Sequence, residues 1–220
     1  MRIVRKDSFT TTPWKNGGGV THEAFRMPPG AGAFRWRMSV AEIREDGPFS
    51  DFGGYGRTMV LLRGAGLRLK FPDGRRTHLR AVGDLIEFDG APAPACRLSA
   101  GPCVDLNLIA ANSLAGVESA VLRVAEARSL TVQDEDAVLV FCIEGSLRVA
   151  PAADGAAVLG AWDLAVVTAA DGLVSASASA SASAAAAAAA AAGSTPSPAE
   201  EPSPLVFLAT VRGGAAGARP

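Results

Sequence analysis

Leu61-Leu62-Arg63-Gly64-Ala65-Gly66-Leu67-Arg68-Leu69 reads as two short strands around a glycine turn, and the figure returns as Phe141-Cys142-Ile143-Glu144-Gly145-Ser146-Leu147-Arg148-Val149. On the outgoing arms apolar residues alternate with charged ones, the period of a half-buried strand, and glycine supplies the conformations that a tight turn needs. About 15 to 20 residues after each glycine turn comes a glycine–aspartate turn and an apolar strand: Gly83-Asp84-Leu85-Ile86 and Gly160-Ala161-Trp162-Asp163-Leu164. Outward from these hairpins the texture is the same. Residues 34–43, 57–62, 77–79, 85–88 and 104–110 read as strands in the first half, and 137–143, 147–149 and 164–168 in the second. Gly47-Pro48, Asp51-Phe52-Gly53-Gly54 and Pro72-Asp73-Gly74 mark turns between them. Only residues 117–129 carry a weak helical pattern. Many short strands between glycine-rich turns predict an all-β sandwich or barrel, and the internal echo predicts two of them.

The 220 residues suit two small domains, drawn here as residues 1–112 and 113–220. From Ser175 to Pro204 the composition collapses into Ser-Ala alternation, then an Ala run, then Ser, Pro and Glu. Nine consecutive alanines are too short for a stable isolated helix, and the Pro-rich remainder cannot build a core. The stretch reads as a poorly ordered surface insertion in the second barrel. Leu205-Val206-Phe207-Leu208-Ala209-Thr210-Val211 after it reads as the strand that returns to the interrupted sheet.

Hydrophobic residues make up 49% of the chain, enough for a sizeable core. A formal net charge of −1 gives no argument for nucleic acid, and there is no polybasic segment to argue for a membrane. No bulky apolar stretch approaches bilayer-spanning length, and the first residues carry no apolar signal region. Three cysteines, Cys96, Cys103 and Cys142, cannot all pair and lack zinc-ligand spacing. These features together predict a cytoplasmic protein.

Trp14-Lys15-Asn16-Gly17-Gly18-Gly19-Val20-Thr21-His22-Glu23 is the most unusual local sequence. Three glycines in a row lose much backbone entropy on folding, so the position needs either unusual φ angles or a close approach. Two readings stand side by side: a tight turn before a strand, with Trp14 as a lid on the core, and a loop facing a ligand. The chain has two histidines, His22 and His78, and the second is flanked by arginines that would repel a cation. Two scattered imidazoles make no transition-metal site and no nucleophilic triad, so neither metal nor cofactor is expected.

The doubled hairpin and glycine–aspartate rhythm resembles the cupin fold, a double-stranded β-helix or jelly roll, occurring twice. More specifically, five segments in order resemble the HutD/Ves family of bicupins. They are residues 14–21, Trp36-Arg37-Met38-Ser39-Val40-Ala41, Gly47-Pro48-Phe49-Ser50, residues 61–67 and Gly101-Pro102-Cys103-Val104-Asp105-Leu106-Asn107-Leu108. The resemblance covers residues 1–110 best and implies a metal-free bicupin tied to bacterial histidine utilisation, acting as a regulatory small-molecule binder. The chain departs from the family pattern at His22, usually Arg, at Gly53 and Gly56, usually Pro and Asp, and at Leu106, usually Phe.

Within those segments Arg37 and Arg57 could each grip a carboxylate through two parallel hydrogen bonds. Glu23 or Asp105 could accept from an ammonium or imidazole N–H, and Asn16, Thr21, Ser39 and Asn107 offer neutral partners. Backbone N–H groups at Gly17 and Gly18 could form an anion-binding nest. This set predicts a site for a small, carboxylated, nitrogen-containing metabolite. A metal-independent isomerase or hydrolase with Glu23 or Asp105 as base is the rival, and a stress-linked interaction protein a third reading. Pairing of exposed sheet edges would allow a homodimer. The strand face that points inward is open at this point, since a shift of one residue exchanges Arg37 for Trp36 or Met38.

Overall fold

In the computed structural model of the chain, residues 1–134, 136–152, 155–179 and 202–215 are described. The first half runs through β1 (Arg2–Val4), β2 (Thr10–Pro13), β3 (Gly19–Met27), β4 (Trp36–Ile43), β5 (Gly47–Pro48), β6 (Tyr55–Arg63), β7 (Leu67–Lys70), β8 (Arg76–Leu79), β9 (Leu85–Asp89), β10 (Ala95–Leu98) and β11 (Cys103–Ala111). The second half adds β12 (Leu114–Arg123), β13 (Arg128–Leu130), β14 (Ala137–Glu144), β15 (Leu147–Pro151), β16 (Ala157–Leu159), β17 (Leu164–Thr168), β18 (Val174–Ala178) and β19 (Leu205–Ala215).

These strands form four antiparallel sheets. An inner sheet in the order β2-β3-β4-β11-β6-β9 faces an outer sheet β5-β10-β7-β8, and together they enclose the first barrel. The inner sheet β1-β17-β14-β19-β12 faces the outer sheet β13-β18-β15-β16 in the same way. The two inner sheets pack back to back. Because strand side chains alternate, each inner sheet serves two cores. Met38, Val40, Leu106 and Leu108 of the first barrel meet Leu139, Phe141, Val166 and Phe207 of the second in a shared core between the barrels. Ile43, Met59, Leu61, Leu67, Leu69 and Phe88 fill the lower part of the first barrel. Val138, Val140, Cys142, Leu147, Val149 and Val167 fill the second. A void there, against Leu130, Leu147 and Val206, measures about 10 Å³, too small for a metabolite.

The doubled motif is repeated in its bonding. Asp84 accepts the backbone N–H groups of Arg80 and Ala81 at 2.6 and 3.1 Å, and Asp163 accepts that of Gly160 at 3.0 Å. In each case a carboxylate closes the turn that feeds an apolar strand. The halves also interlock: β1 leaves its own half and pairs with β17, with Ile3 opposite Ala165. Arg5 Nη1 and the Lys6 backbone N–H then bind the two carboxylate oxygens of Asp163 at 2.7 and 3.0 Å.

Two expectations are corrected. Residues 117–129 are not helical: β12 pairs along its length with β19, and Val117 and Val121 turn towards the shared core at strand period. Tertiary pairing overrides the helix-favouring Glu, Ala and Leu of this segment. The insertion expected over 175–204 begins later than drawn. Val174–Ala178 is β18, with Val174 and Ala176 buried and Ser175 and Ser177 facing away. Ser-Ala alternation is itself a strand pattern when small residues suffice to pack the inner face. The Ala run lies outside the described residues. Leu205–Ala215 does return to the sheet, between β14 and β12. All three cysteines are buried and free.

Candidate ligand pocket in the N-terminal barrel

The glycine run forms the hairpin turn between β2 and β3. Trp14 N–H donates to the Gly19 carbonyl and Gly17 N–H to the Trp14 carbonyl, both at 3.0 Å, while Gly18 N–H donates to Asn16 Oδ1 at 3.1 Å. Gly17 takes a φ of 76°, the left-handed geometry that the turn requires. A Cβ on Gly19 would lie 2.3 Å from the Glu42 carbonyl oxygen and 2.9 Å from the Trp14 ring, so the strand and the indole close directly onto its backbone. The expected nest is therefore corrected. The N–H groups of Gly17 and Gly18 are consumed within the turn, and these two residues shape the loop without lining its cavity.

What the turn presents is a cavity of about 550 Å³, bounded by Thr12, Trp14, Asn16, Thr21, Glu23, Arg37, Phe49 and Phe52. The register is settled by the shared core. Trp36, Met38 and Val40 point into it, so Arg37 and Ser39 point into the barrel. Trp14 Nε1–H donates to Thr21 Oγ1 at 2.8 Å, which places the indole in the pocket wall as well as over the core. Arg37 Nε lies 4.0 Å from Glu23 Oε2, and the guanidinium sits 5.3 Å from the ring centres of both Phe34 and Phe52. Burial lowers the pKa of Arg37, against the opposing pull of Glu23. Its Nε is buried with no hydrogen-bond acceptor among the described residues.

Ser39, Arg57, Asp105 and Asn107 form a second, buried tier, in which Arg57 lies against the phenylalanines of the pocket floor. Ser39 and Asn107 are opposed across β4 and β11, while β11 also places Asn107 opposite Met59, two residues along β6 from Arg57. Arg57 Nη2–H donates to Asn107 Oδ1 at 2.5 Å, and Asn107 Nδ2–H donates to Asp105 Oδ2 at 2.5 Å. Phe49, Phe52 and Phe88 surround the Arg57 guanidinium at 5.2, 5.6 and 5.1 Å. Cation–π contact partly replaces the hydration that this buried charge has lost. Burial pulls the Arg57 pKa down to about 10, opposed by Asp105. Burial pushes Asp105 up to about 7, opposed by Arg57 and by the Asn107 hydrogen bond. Arg57 Nε and Nη1 and Asp105 Oδ1 have no partner among the described residues. Such unsatisfied groups are uncommon in protein interiors and cluster where water or a ligand completes the set.

The ten expected residues thus divide. Asn16, Thr21, Glu23 and Arg37 share the open pocket. Ser39, Arg57, Asp105 and Asn107 are buried outside it, with Arg57 against Phe49 and Phe52, and Gly17 and Gly18 build the turn. The phenylalanines were missed as site residues, although both fall in stretches that read as turns, Gly47-Pro48-Phe49-Ser50 and Asp51-Phe52-Gly53-Gly54. Short aromatic-bearing turns over a barrel mouth are the signal that would have found them. The histidines point elsewhere: His22 contacts Thr11 and Glu42, and His78 contacts Arg80 and Ser99. No group of three or more His, Cys, Asp or Glu side chains that could hold a metal occurs among the described residues.

Two back-to-back cupin barrels, one filled and one with an arginine-lined polar pocket, define a bicupin. The HutD family profile matches residues 6–188, and the chain belongs to that family. A relative from Pseudomonas putida, an uncharacterized 21.2 kDa protein in the hutC 3′ region, is 39% identical over 110 residues, spanning 50% of this chain and 57% of the relative. The protein Ves of Citrobacter koseri is 33% identical over 134 residues, 60% of this chain and 68% of that protein. Among solved structures, HutD from Pseudomonas fluorescens SBW25 superposes with a TM-score of 0.72 at 28% identity, covering 96% of this chain and 99% of that one. A conserved protein of unknown function from Pseudomonas aeruginosa PAO1 gives a TM-score of 0.76 at 26% identity, covering 96% and 97%. No helix among the described residues is long and apolar enough to cross a membrane.

Proposed function

We propose that this bicupin binds a small carboxylate metabolite of histidine breakdown in its N-terminal barrel and acts as a regulator of histidine utilisation. The observation that carries the reading is a pair of arginines with buried, unanswered N–H groups, half-buried Arg37 at the pocket wall and buried Arg57 against the phenylalanines of its floor. A guanidinium with free donors in a low-dielectric site is matched by a carboxylate, which accepts two parallel hydrogen bonds. Glu23, beside Arg37, supplies the complementary acceptor for an amino or imidazole N–H, so the wall can take both ends of an amino-acid-like ligand. The hut-region placement of the Pseudomonas putida relative and the HutD membership of this chain supply the link to histidine.

The test is a thermal-shift screen against histidine, urocanate, formimino-glutamate, formyl-glutamate and glutamate, with Arg37→Ala in parallel. A ligand at a hundred times its dissociation constant adds about 2.7 kcal/mol of stability, and the variant should abolish the shift. No shift from any of the five would sink this reading. The enzyme alternative is favoured by one feature, a carboxyl at Asp105 titrating near neutrality as a general base should. That carboxyl is, however, fully buried, at 1% exposure. Conversion of any of the five compounds by the purified protein would decide for it.

A further inference from the structure

The outer sheet of the first barrel carries a face that the net charge conceals. Along β7, Leu67 and Leu69 turn inward, so Arg68 and Lys70 turn out. The register sets Arg97 of β10 opposite Arg68, and Arg68 opposite His78 of β8. One row along, Lys70 lies opposite Arg76. Arg80 follows at the end of β8, and together these side chains wall a groove of about 850 Å³. Like charges directly opposed across strands are destabilising. None of Arg68, Lys70, Arg76, Arg80 and Arg97 has a side-chain ion pair among the described residues, although the charge of Asp84 is felt at His78. The nearby acids are engaged: Asp84 holds the backbone N–H groups of Arg80 and Ala81, and Asp73 pairs with Arg75. Arg80 Nε–H donates to His78 Nδ1 at 2.9 Å, which leaves Nε2–H of that ring to face Ser99 Oγ at 3.0 Å. Lost hydration, then Arg80 and Arg68, lower the His78 pKa, against the opposing pull of Asp84.

We propose that this face of the β5-β10-β7-β8 sheet binds a compact polyphosphate anion, a small molecule carrying two or more linked phosphate groups. Strand spacing makes the cluster about 10 Å across and about 13 Å along, which concentrates five positive charges on an area fit for one small ligand. Guanidinium forks match phosphate oxygens, and linked phosphates bring the charge density that single carboxylates lack. A nucleic acid fits less well. The cationic rows end with β8 and β10, and no aromatic side chain lines the groove as a stacking platform for bases.

The experiment is calorimetric titration of the full chain at physiological salt with tripolyphosphate, pyrophosphate, orthophosphate and a single-stranded oligonucleotide of twenty residues. It is repeated on Arg68→Ala/Arg97→Ala, whose exposed positions leave the fold intact by circular dichroism. The expected result is one saturable tripolyphosphate site per chain, weaker for pyrophosphate, weakest for orthophosphate, and at least tenfold weaker in the double variant. Absence of a saturable site, binding indifferent to the double variant, or an equal response to orthophosphate would each overturn the proposal. Tighter binding of the oligonucleotide than of tripolyphosphate would overturn it too, in favour of a nucleic-acid surface.

Discussion

At Asp105 the fold holds a carboxyl in nearly full burial, beside a charged arginine that only partly compensates it. Its pKa rises from the ordinary 3.8 to about 7. Between those values the native chain keeps a proton that the unfolded chain has released. The unfolded state therefore binds fewer protons, and stability falls as pH rises through that window, levelling off above about 7. Asp105→Asn removes the titration while keeping the shape. Melting temperatures measured from pH 4.5 to 8 should fall for the native chain and run flatter for the variant. Parallel curves would mean that Asp105 keeps an ordinary pKa. Arg37 shows what was legible at this scale and what was not. Its residue type announced anion recognition, yet its direction depended on whether Trp36 or Arg37 faced the barrel. Only pairing with the second barrel, through Met38 and Val40, decides that.

At the scale of single elements, β18 shows how little apolar bulk a strand needs. Val174 and Ala176 face the filled core of the second barrel, while Ser175 and Ser177 pair with Ala150 and Arg148 of β15 and turn away. Ala176→Asp should destabilise the chain by several kcal/mol, because an unpaired charge would enter that core. Ser177→Asp should change stability by less than about 0.5 kcal/mol. Urea denaturation of both separates a true alternating strand from a passive linker, for which the two changes would be alike. Hairpins with apolar arms, such as Leu61–Leu69 and Phe141–Val149, were legible because period and turn chemistry agree. β12 was not, because its edge position in the sheet, and not its composition, makes it a strand. The buried tier of the site was equally hidden. Arg57, Asn107 and Asp105 can be named from sequence, but the phenylalanines that lie between Arg57 and the open pocket are placed only when the turns after β5 fold over the barrel mouth.

At the scale of the whole molecule, the two barrels differ in what they enclose. One barrel is packed to the middle with Val and Leu, the other keeps a polar cavity and a cationic outer face, and the two share a core between their inner sheets. The crossing of β1 gives this arrangement a mechanical aspect. Five residues after it leaves β17, the chain becomes β2, and the end of β2 carries Thr12, Pro13 and Trp14 into the pocket rim. Arg5 and Lys6, clamped on Asp163, are the fixed point of that short run. Asp163→Ala should quicken amide exchange over residues 10–14 while leaving β7 and β8 unchanged, and an unaltered rate over residues 10–14 would show the rim to be independent. Should residues 10–14 respond in that way, the connection would work as a tendon: stiffening of the rim would be felt at Asp163 in the far barrel, and by reciprocity whatever loosened that clamp would retune the rim without touching it.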